Sequence, residues 1–237
     1  MNQSASIVFL FDVDNTLLDN DRVHDDLGRH IGEVFGTGAT RTYWTIYENL
    51  REELGYADYL GAIQKFRLEC DDELHAQQLA AFLLEYNFAE RLYPGALEAI
   101  GHLSQFGPCV VLSDGDVVLQ PRKINVSGIA DAVQGRVLIY VHKERMLNDV
   151  ARRFPAAHYV MIDDKLRLLD DVKRRWRARV TTVFVRQGHY AEDPAARKRY
   201  PPAQIELAAI DELRGLRADT FLAPSEFSPP KPEAATE

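Results

Sequence analysis

The chain has 237 residues, 46% of them hydrophobic and 27% charged, which is enough apolar mass for a full core in an ordinary globular balance. A formal net charge of −8 argues against a binder of the nucleic-acid backbone, which carries a basic footprint. With no signal-peptide pattern and no run of transmembrane length, a cytoplasmic protein with neither membrane nor nucleic-acid partner is expected.

The first element is the apolar run Ile7–Phe11, which reads as a strand buried on both faces. It ends abruptly in Asp12-Val13-Asp14-Asn15-Thr16. Such an acidic pair can be a simple turn or helix cap. A calcium loop is excluded, because Leu17 and Val23 stand where that loop needs Gly and Glu. Asp19-Asn20-Asp21-Arg22 marks a hinge and the cap of a following helix. The stretch 21–89 is rich in Leu, Glu, Tyr, Ala and Arg, with apolar residues at helical spacing in Thr42–Leu54, Tyr56–Cys70 and Asp72–Tyr86. It reads as a helical module inserted after the first strand. Tyr43, Trp44, Tyr47, Tyr56 and Tyr59 within it either pack its helices or line a pocket.

The chain then turns at Tyr93-Pro94-Gly95-Ala96 into a helix over Leu97–Phe106. Short apolar runs follow at Cys109–Leu112, Val137–Val141, Tyr159–Ile162 and Val180–Val185, separated by helix-like segments Val117–Val126, Lys143–Phe154 and Leu166–Arg177. That alternation predicts βαβ units on a parallel sheet, an α/β fold. The core would comprise residues 1–20 and 90–222. The basic runs Lys173–Arg177 and Arg197–Arg199 suit solvated faces or helix C-termini. Cys70 and Cys109 form no metal or redox motif. Residues 223–237, rich in Pro, Ser, Glu and Ala, predict a disordered tail.

The chemistry concentrates where the runs end. Beside Asp12, Asp14 and Thr16, the later runs deliver Ser113-Asp114, then His142-Lys143, then Asp163-Asp164-Lys165. One rim of one sheet thus gathers carboxylates, hydroxyls and an ammonium, where open parallel sheets bind ligands. Physically this set suits phosphoryl transfer. Carboxylates hold Mg²⁺, Asp12 attacks phosphorus, and Asp14 works as acid and then base. Thr16, Ser113 and backbone N–H groups near Asp114 hold phosphate oxygens, and Lys143 adds positive charge. Lys123 and Lys165 compete with Lys143 for that place. His142 and the His189 loop, Arg186-Gln187-Gly188-His189-Tyr190, either approach the same rim or, as polar loops commonly do, face water, and no His has a metal-spaced partner.

These four motifs, in this order over residues 7–185, resemble the haloacid dehalogenase superfamily of phosphohydrolases. The resemblance implies a Rossmann-like three-layer core with an all-helical cap inserted between the first and second motifs. It implies Asp12 as nucleophile and Asp14 as acid/base, with its backbone carbonyl on the metal. Thr16, Ser113 and Asp114 would serve the substrate, Lys143 would tie nucleophile to phosphate, and Asp163 and Asp164 would complete the Mg²⁺ site, Asp164 the favoured direct ligand. No Pro follows Lys143, as it does in many relatives. Metal-free dehalogenases of this superfamily typically lack the second Asp, so Asp14 points to a phosphatase acting on a small phosphorylated metabolite. A phosphomutase, or a non-catalytic phosphate-binding or signalling module, stands as the alternative.

Overall fold

The computed structural model describes residues 5–70 and 73–222; the expected tail lies outside them. Among the described residues, six parallel strands form one sheet: β1 (Ala5–Phe11), β2 (Cys109–Asp114), β3 (Val137–Tyr140), β4 (Ala156–Asp163), β5 (Val180–Val185) and β6 (Ile205–Leu207). Their spatial order is β3-β2-β1-β4-β5-β6. Along β1, Ile7, Phe9 and Phe11 enter one apolar cluster, while Val8 and Leu10 enter the other. Burial on both faces is why this strand is written as an unbroken apolar run. The connections run outward from β1 in opposite directions, so the tips of β1 and β4 flank the crevice of an open α/β sheet.

Among the described residues, four helices make up the stretch that leaves β1 and returns at Tyr93: α1 (Asn20–Phe35), α2 (Thr37–Leu54), α3 (Tyr59–Cys70) and α4 (Glu73–Leu84). Each buries one stripe at helical spacing: Val23, Leu27 and Ile31 in α1, Tyr43, Ile46 and Leu50 in α2, Tyr59, Ile63 and Phe66 in α3, Ala76, Leu79 and Leu83 in α4. Mutual burial of such stripes, more than helix propensity, stabilises helices of this length. Asp19 caps α1 by accepting from the Arg22 amide at 2.9 Å, as the sequence predicts for this stretch. Buried Asp26 accepts from Arg29 at 2.6 Å, from Arg91 at 2.8 Å and from the Tyr86 hydroxyl, tying α1 to the segment that returns to the sheet.

After the insertion come α5 (Ala96–Leu103), α6 (Leu119–Val126), α7 (Ile129–Ala132), α8 (Leu147–Arg153) and α9 (Leu166–Trp176). Two helix boundaries and one strand differ informatively from the sequence reading. The segment expected as a helix from Lys143 is a 3₁₀ turn, Lys143–Arg145, before α8. α6 starts at Leu119, not Val117, because the Asp116 carboxylate accepts from the amides of Val118 and Leu119 at 2.7 and 2.6 Å. β6 was not expected: it is three residues long and follows Pro201-Pro202. The basic runs do end helices, in the last turns of α9 and of the short helix Pro194–Arg199. Lys173 departs from a solvated face: it is buried and donates to the Val180 carbonyl at 2.7 Å. No helix among the described residues is long and apolar enough to cross a membrane.

Candidate active site

Phe11 pairs in register with Ile162, so Asp12 and Asp163 emerge side by side from adjacent strand tips. Asp12 is 3% exposed, and Asp163 and Asp164 are fully buried. One oxygen of each carboxylate lies within 4.8 Å of the others. Lys143 is the lysine placed among them. Its Nζ lies 2.5 Å from Asp12 Oδ1 and 2.7 Å from Asp163 Oδ2.

Burial alone would raise the Asp12 carboxyl, but the charges of Lys143 and then Lys165 prevail and hold it below its ordinary value. Burial likewise opposes the charge on Lys143, yet Asp12 and Asp163 overcome it and raise the ammonium. Each ion here is held by its partner. Removing the ammonium strands two carboxylates in the interior. We expect Lys143→Met to destabilise the protein by about 3–5 kcal/mol in chelator, the usual cost of breaking a buried pair. Urea unfolding measures this, and a loss under about 1 kcal/mol would contradict the arrangement.

Asp114 serves this lysine from behind: its Oδ1 accepts the Lys143 amide at 2.7 Å and fixes the 3₁₀ turn. Burial pushes its carboxyl up to about 6, against the pull of Lys143. The residue expected to meet substrate thus borders the cleft while its carboxylate holds Lys143. Thr16 is fully buried and donates to Asp12 Oδ2 across 3.4 Å. Ser113 donates to the Asp114 carbonyl at 3.2 Å and accepts from Gln120 Nε2 at 2.9 Å.

Asp164 is different. Neither of its buried oxygens has a hydrogen-bond partner, and the Lys165 ammonium stands 3.8 Å away. Burial raises its carboxyl well above the carboxylate range. Three carboxylates against the ammoniums of Lys143 and Lys165 leave an excess of negative charge and two oxygens without hydrogen bonds. A hard divalent cation with oxygen ligands fits that donor set.

Asp14 contributes no carboxylate to this trio. Its side chain turns to α6, where Lys123 Nζ lies 2.7 Å from Oδ1 and Gln120 Nε2 lies 3.4 Å from Oδ2. Lys123, one of the competing lysines, therefore pairs with Asp14 and leaves Asp12 to Lys143. Lys165, the other, borders the cleft with its ammonium 4.9 Å from the Tyr190 ring centroid.

The loop between Asp12 and α1 is built for tightness. The Val13 carbonyl accepts from Thr16, Leu17 and Leu18, and Asn15 takes φ 61°, a conformation Asn tolerates better than most residues. Asn15 Oδ1 accepts from the amides of Asn20 and Asp21 at 3.0 and 3.2 Å. Gly188 passes so close that a Cβ there would lie 2.5 Å from the Asn15 Cβ. Beyond it, His189 meets Asp21 through its amide at 2.8 Å and its Nδ1 at 2.6 Å. The turn into α1 is thus clasped by the His189 loop.

A cleft of about 720 Å³ opens beside these residues, bordered by Asp14, Asp114, Lys165, Arg51, Tyr47 and Tyr59, among others. The aromatic residues of the insertion divide between the two roles open in the sequence. Tyr47, Tyr56 and Tyr59 border the cleft. Tyr43 is buried and donates to the Tyr59 carbonyl at 3.1 Å, and Trp44 stacks on His24 at 3.5 Å. His142 touches the insertion at Gly55, where a Cβ would lie 2.5 Å from the imidazole.

Sequence reasoning missed Gln120, Asn15 and Asn20. The spacing of Gln120 and Lys123, one helical turn apart directly after a site strand, was a usable signal.

Compared with known proteins, residues 8–167 match the haloacid dehalogenase-like hydrolase family. Among solved structures, a haloacid dehalogenase-like hydrolase from Burkholderia xenovorans LB400 is 56% identical, with a TM-score of 0.86, covering 90% of this chain and 100% of its own. A haloacid dehalogenase-like family hydrolase from Xanthomonas campestris shares 16% identity at a TM-score of 0.64, over 91% of each chain. The L-2-haloacid dehalogenase of Xanthobacter autotrophicus, solved with chloropropionic acid covalently bound, shares 14% identity at a TM-score of 0.60 and covers 88% of this chain and 96% of its own. No curated protein matches the chain.

Proposed function

We propose that this chain, which belongs to the haloacid dehalogenase-like hydrolases, is a Mg²⁺-dependent phosphatase that hydrolyses small phosphomonoesters through an aspartyl-phosphate on Asp12. The observation that carries the reading is the buried Asp12–Asp163–Asp164 cluster with an Asp164 carboxylate that accepts no hydrogen bond. Two charged lysines at the rim and a second acid at Asp14 support it. An anionic substrate at an anionic cluster needs just such neutralisation.

Asp12, Asp163 and Asp164, with the Asp14 carbonyl, would hold a Mg²⁺ ion, which supplies charge neutralisation for the phosphoryl oxygens. The rest is the work of side chains. An Asp12 oxygen attacks phosphorus while the bond to the ester oxygen breaks, and Asp14 gives that oxygen a proton. Water then attacks the phosphorus of the aspartyl-phosphate, Asp14 takes its proton, and Asp12 leaves as the carboxylate. Lys143, held on Asp12, places positive charge beside the phosphoryl oxygens, and the hydroxyls of Thr16 and Ser113 hold them. The helical insertion over the cleft favours small substrates and limits water.

The test is phosphate release from a panel of small phosphomonoesters, with Mg²⁺ and with chelator. Release that depends on Mg²⁺ is expected. Halide release from 2-haloacids without phosphate release would overturn the reading, and phosphate passed to a second substrate hydroxyl in place of water would reassign the chain to a mutase.

A further inference from the structure

The mechanism above leaves unused a lysine that is among the most deeply buried cations of the fold. Lys123, on α6, is 1% exposed. Its Nζ donates to Asp14 Oδ1 at 2.7 Å and to Asn20 Oδ1 at 2.8 Å, and it lies 5.8 Å from the Phe88 ring centroid. Burying an ammonium costs several kcal/mol unless its protons are used. Two of the three are, on residues separated by the turn that carries the chain from β1 into the insertion.

The chain of contacts continues. Asn20, the first residue of α1, donates through Nδ2 to the Tyr59 hydroxyl at 3.1 Å, reaching α3. Asp14 is thus linked through one lysine to two helices of the insertion, and through Gln120 to Ser113. With Oδ1 facing the ammonium at 2.7 Å and Oδ2 receiving only a 3.4 Å contact, the two oxygens of Asp14 are not equivalent. Oδ2 is the less engaged of the two.

We propose that Lys123 is a positioning residue: it locks the Asp14 carboxylate by Oδ1, presents Oδ2 to the leaving oxygen, and through Asn20 and Tyr59 couples that orientation to the seating of the helical insertion. This rests on Asp14 acting as acid/base in the phosphatase reading. It differs from a merely structural buried lysine in one measurable respect. Misplacing an acid hurts substrates in proportion to their need for a proton on the leaving group. Loss of packing hurts all substrates alike.

The experiment compares the first turnover of ethyl phosphate, whose alkoxide leaves poorly, with that of 4-nitrophenyl phosphate, whose phenolate leaves readily. Rapid quench isolates ester cleavage from the later water step. For Lys123→Gln we expect cleavage of ethyl phosphate to slow by roughly 100-fold and of 4-nitrophenyl phosphate by less than about tenfold, with Asp14→Asn setting the ceiling for both. Lys123→Arg should recover part of the difference. Asn20→Ala should reproduce its pattern more weakly and combine with Lys123→Gln less than multiplicatively, as residues acting through one network do.

Equal losses on the two esters, or full multiplicativity of the two substitutions, would overturn the proposal. Should Lys123→Gln fail to fold, Lys123→Arg and Asn20→Ala must carry the same leaving-group dependence, and its absence in both overturns it equally. A wild-type protein that cleaves neither ester, nor any of the panel, refutes the phosphatase reading instead.

Discussion

Asp12→Asn is expected to lower phosphate release by on the order of 10⁴-fold or more while leaving the fold intact. Loss of the group that forms the covalent bond commonly removes most of an enzyme's chemistry, because the remaining donors cannot substitute for a nucleophile. The substitution keeps shape and volume at a position that is 3% exposed, so packing of the β1 tip survives. Its electrostatic consequence is modest. Lys143 retains Asp163 at 2.7 Å, and one charge is removed from a cluster that carries too many. The amide can still meet Lys143 through its carbonyl oxygen, the position now taken by Asp12 Oδ1. Acid quench during turnover should trap phosphorylated protein in wild type and none in the variant, with unchanged circular dichroism. Activity within about tenfold of wild type would refute a covalent role for Asp12, since a mispositioned water or general base would then suffice.

The elements legible from sequence are those whose burial is two-sided or whose end carries charge. β1 could be read because both of its faces meet apolar clusters, and Asp12 because it ends that run. That Asp12 and Asp163 share one rim followed from the parallel alternation; that their strands are neighbours comes from the sheet order. The order of the motifs assigns Lys143 to Asp12, but spacing alone does not separate it from Lys123 and Lys165. Lys123, Lys143 and Lys165 each lie near a strand tip, and only the 3₁₀ turn pinned by Asp114 aims Lys143 inward. Partner choice among long side chains depends on the last few ångströms of backbone, which periodicity does not encode. The same holds for Asn20 and Tyr59, whose contact spans 39 positions in sequence. β6 was missed for a different reason: three residues carry too little alternation to be told from loop. Asp114 illustrates a subtler gap. A carboxylate beside a site was readable, but its use in holding a backbone amide rather than a ligand required geometry.

Asp164→Asn should make the protein more stable in chelator and abolish its stabilisation by Mg²⁺. In the folded protein both Asp164 oxygens are buried without hydrogen-bond partners, and burial raises the carboxyl well above its ordinary 3.8 against the pull of Lys165. The folded state therefore binds a proton more readily than the unfolded chain does, so without metal stability must fall as pH rises above about 4, through the window up to the raised value. Asparagine carries no charge to bury and leaves that slope behind. At neutral pH the gain should be about 1–3 kcal/mol, the usual penalty of a buried unsatisfied group, or several degrees in Tm for a chain of this size. Mg²⁺ reverses the order: it stabilises wild type through binding to the folded state alone, and has lost a charged ligand in the variant. Thermal melts at pH 5 and pH 8, each with Mg²⁺ and with chelator, separate these contributions. If Asp164→Asn melts lower than wild type in chelator at pH 8, the carboxylate is satisfied in some other way, and the case for a cation at the β4 tip loses its physical ground. If it melts higher there and Mg²⁺ shifts only the wild type, the orphaned carboxylate is a binding group held ready at a cost to the empty protein.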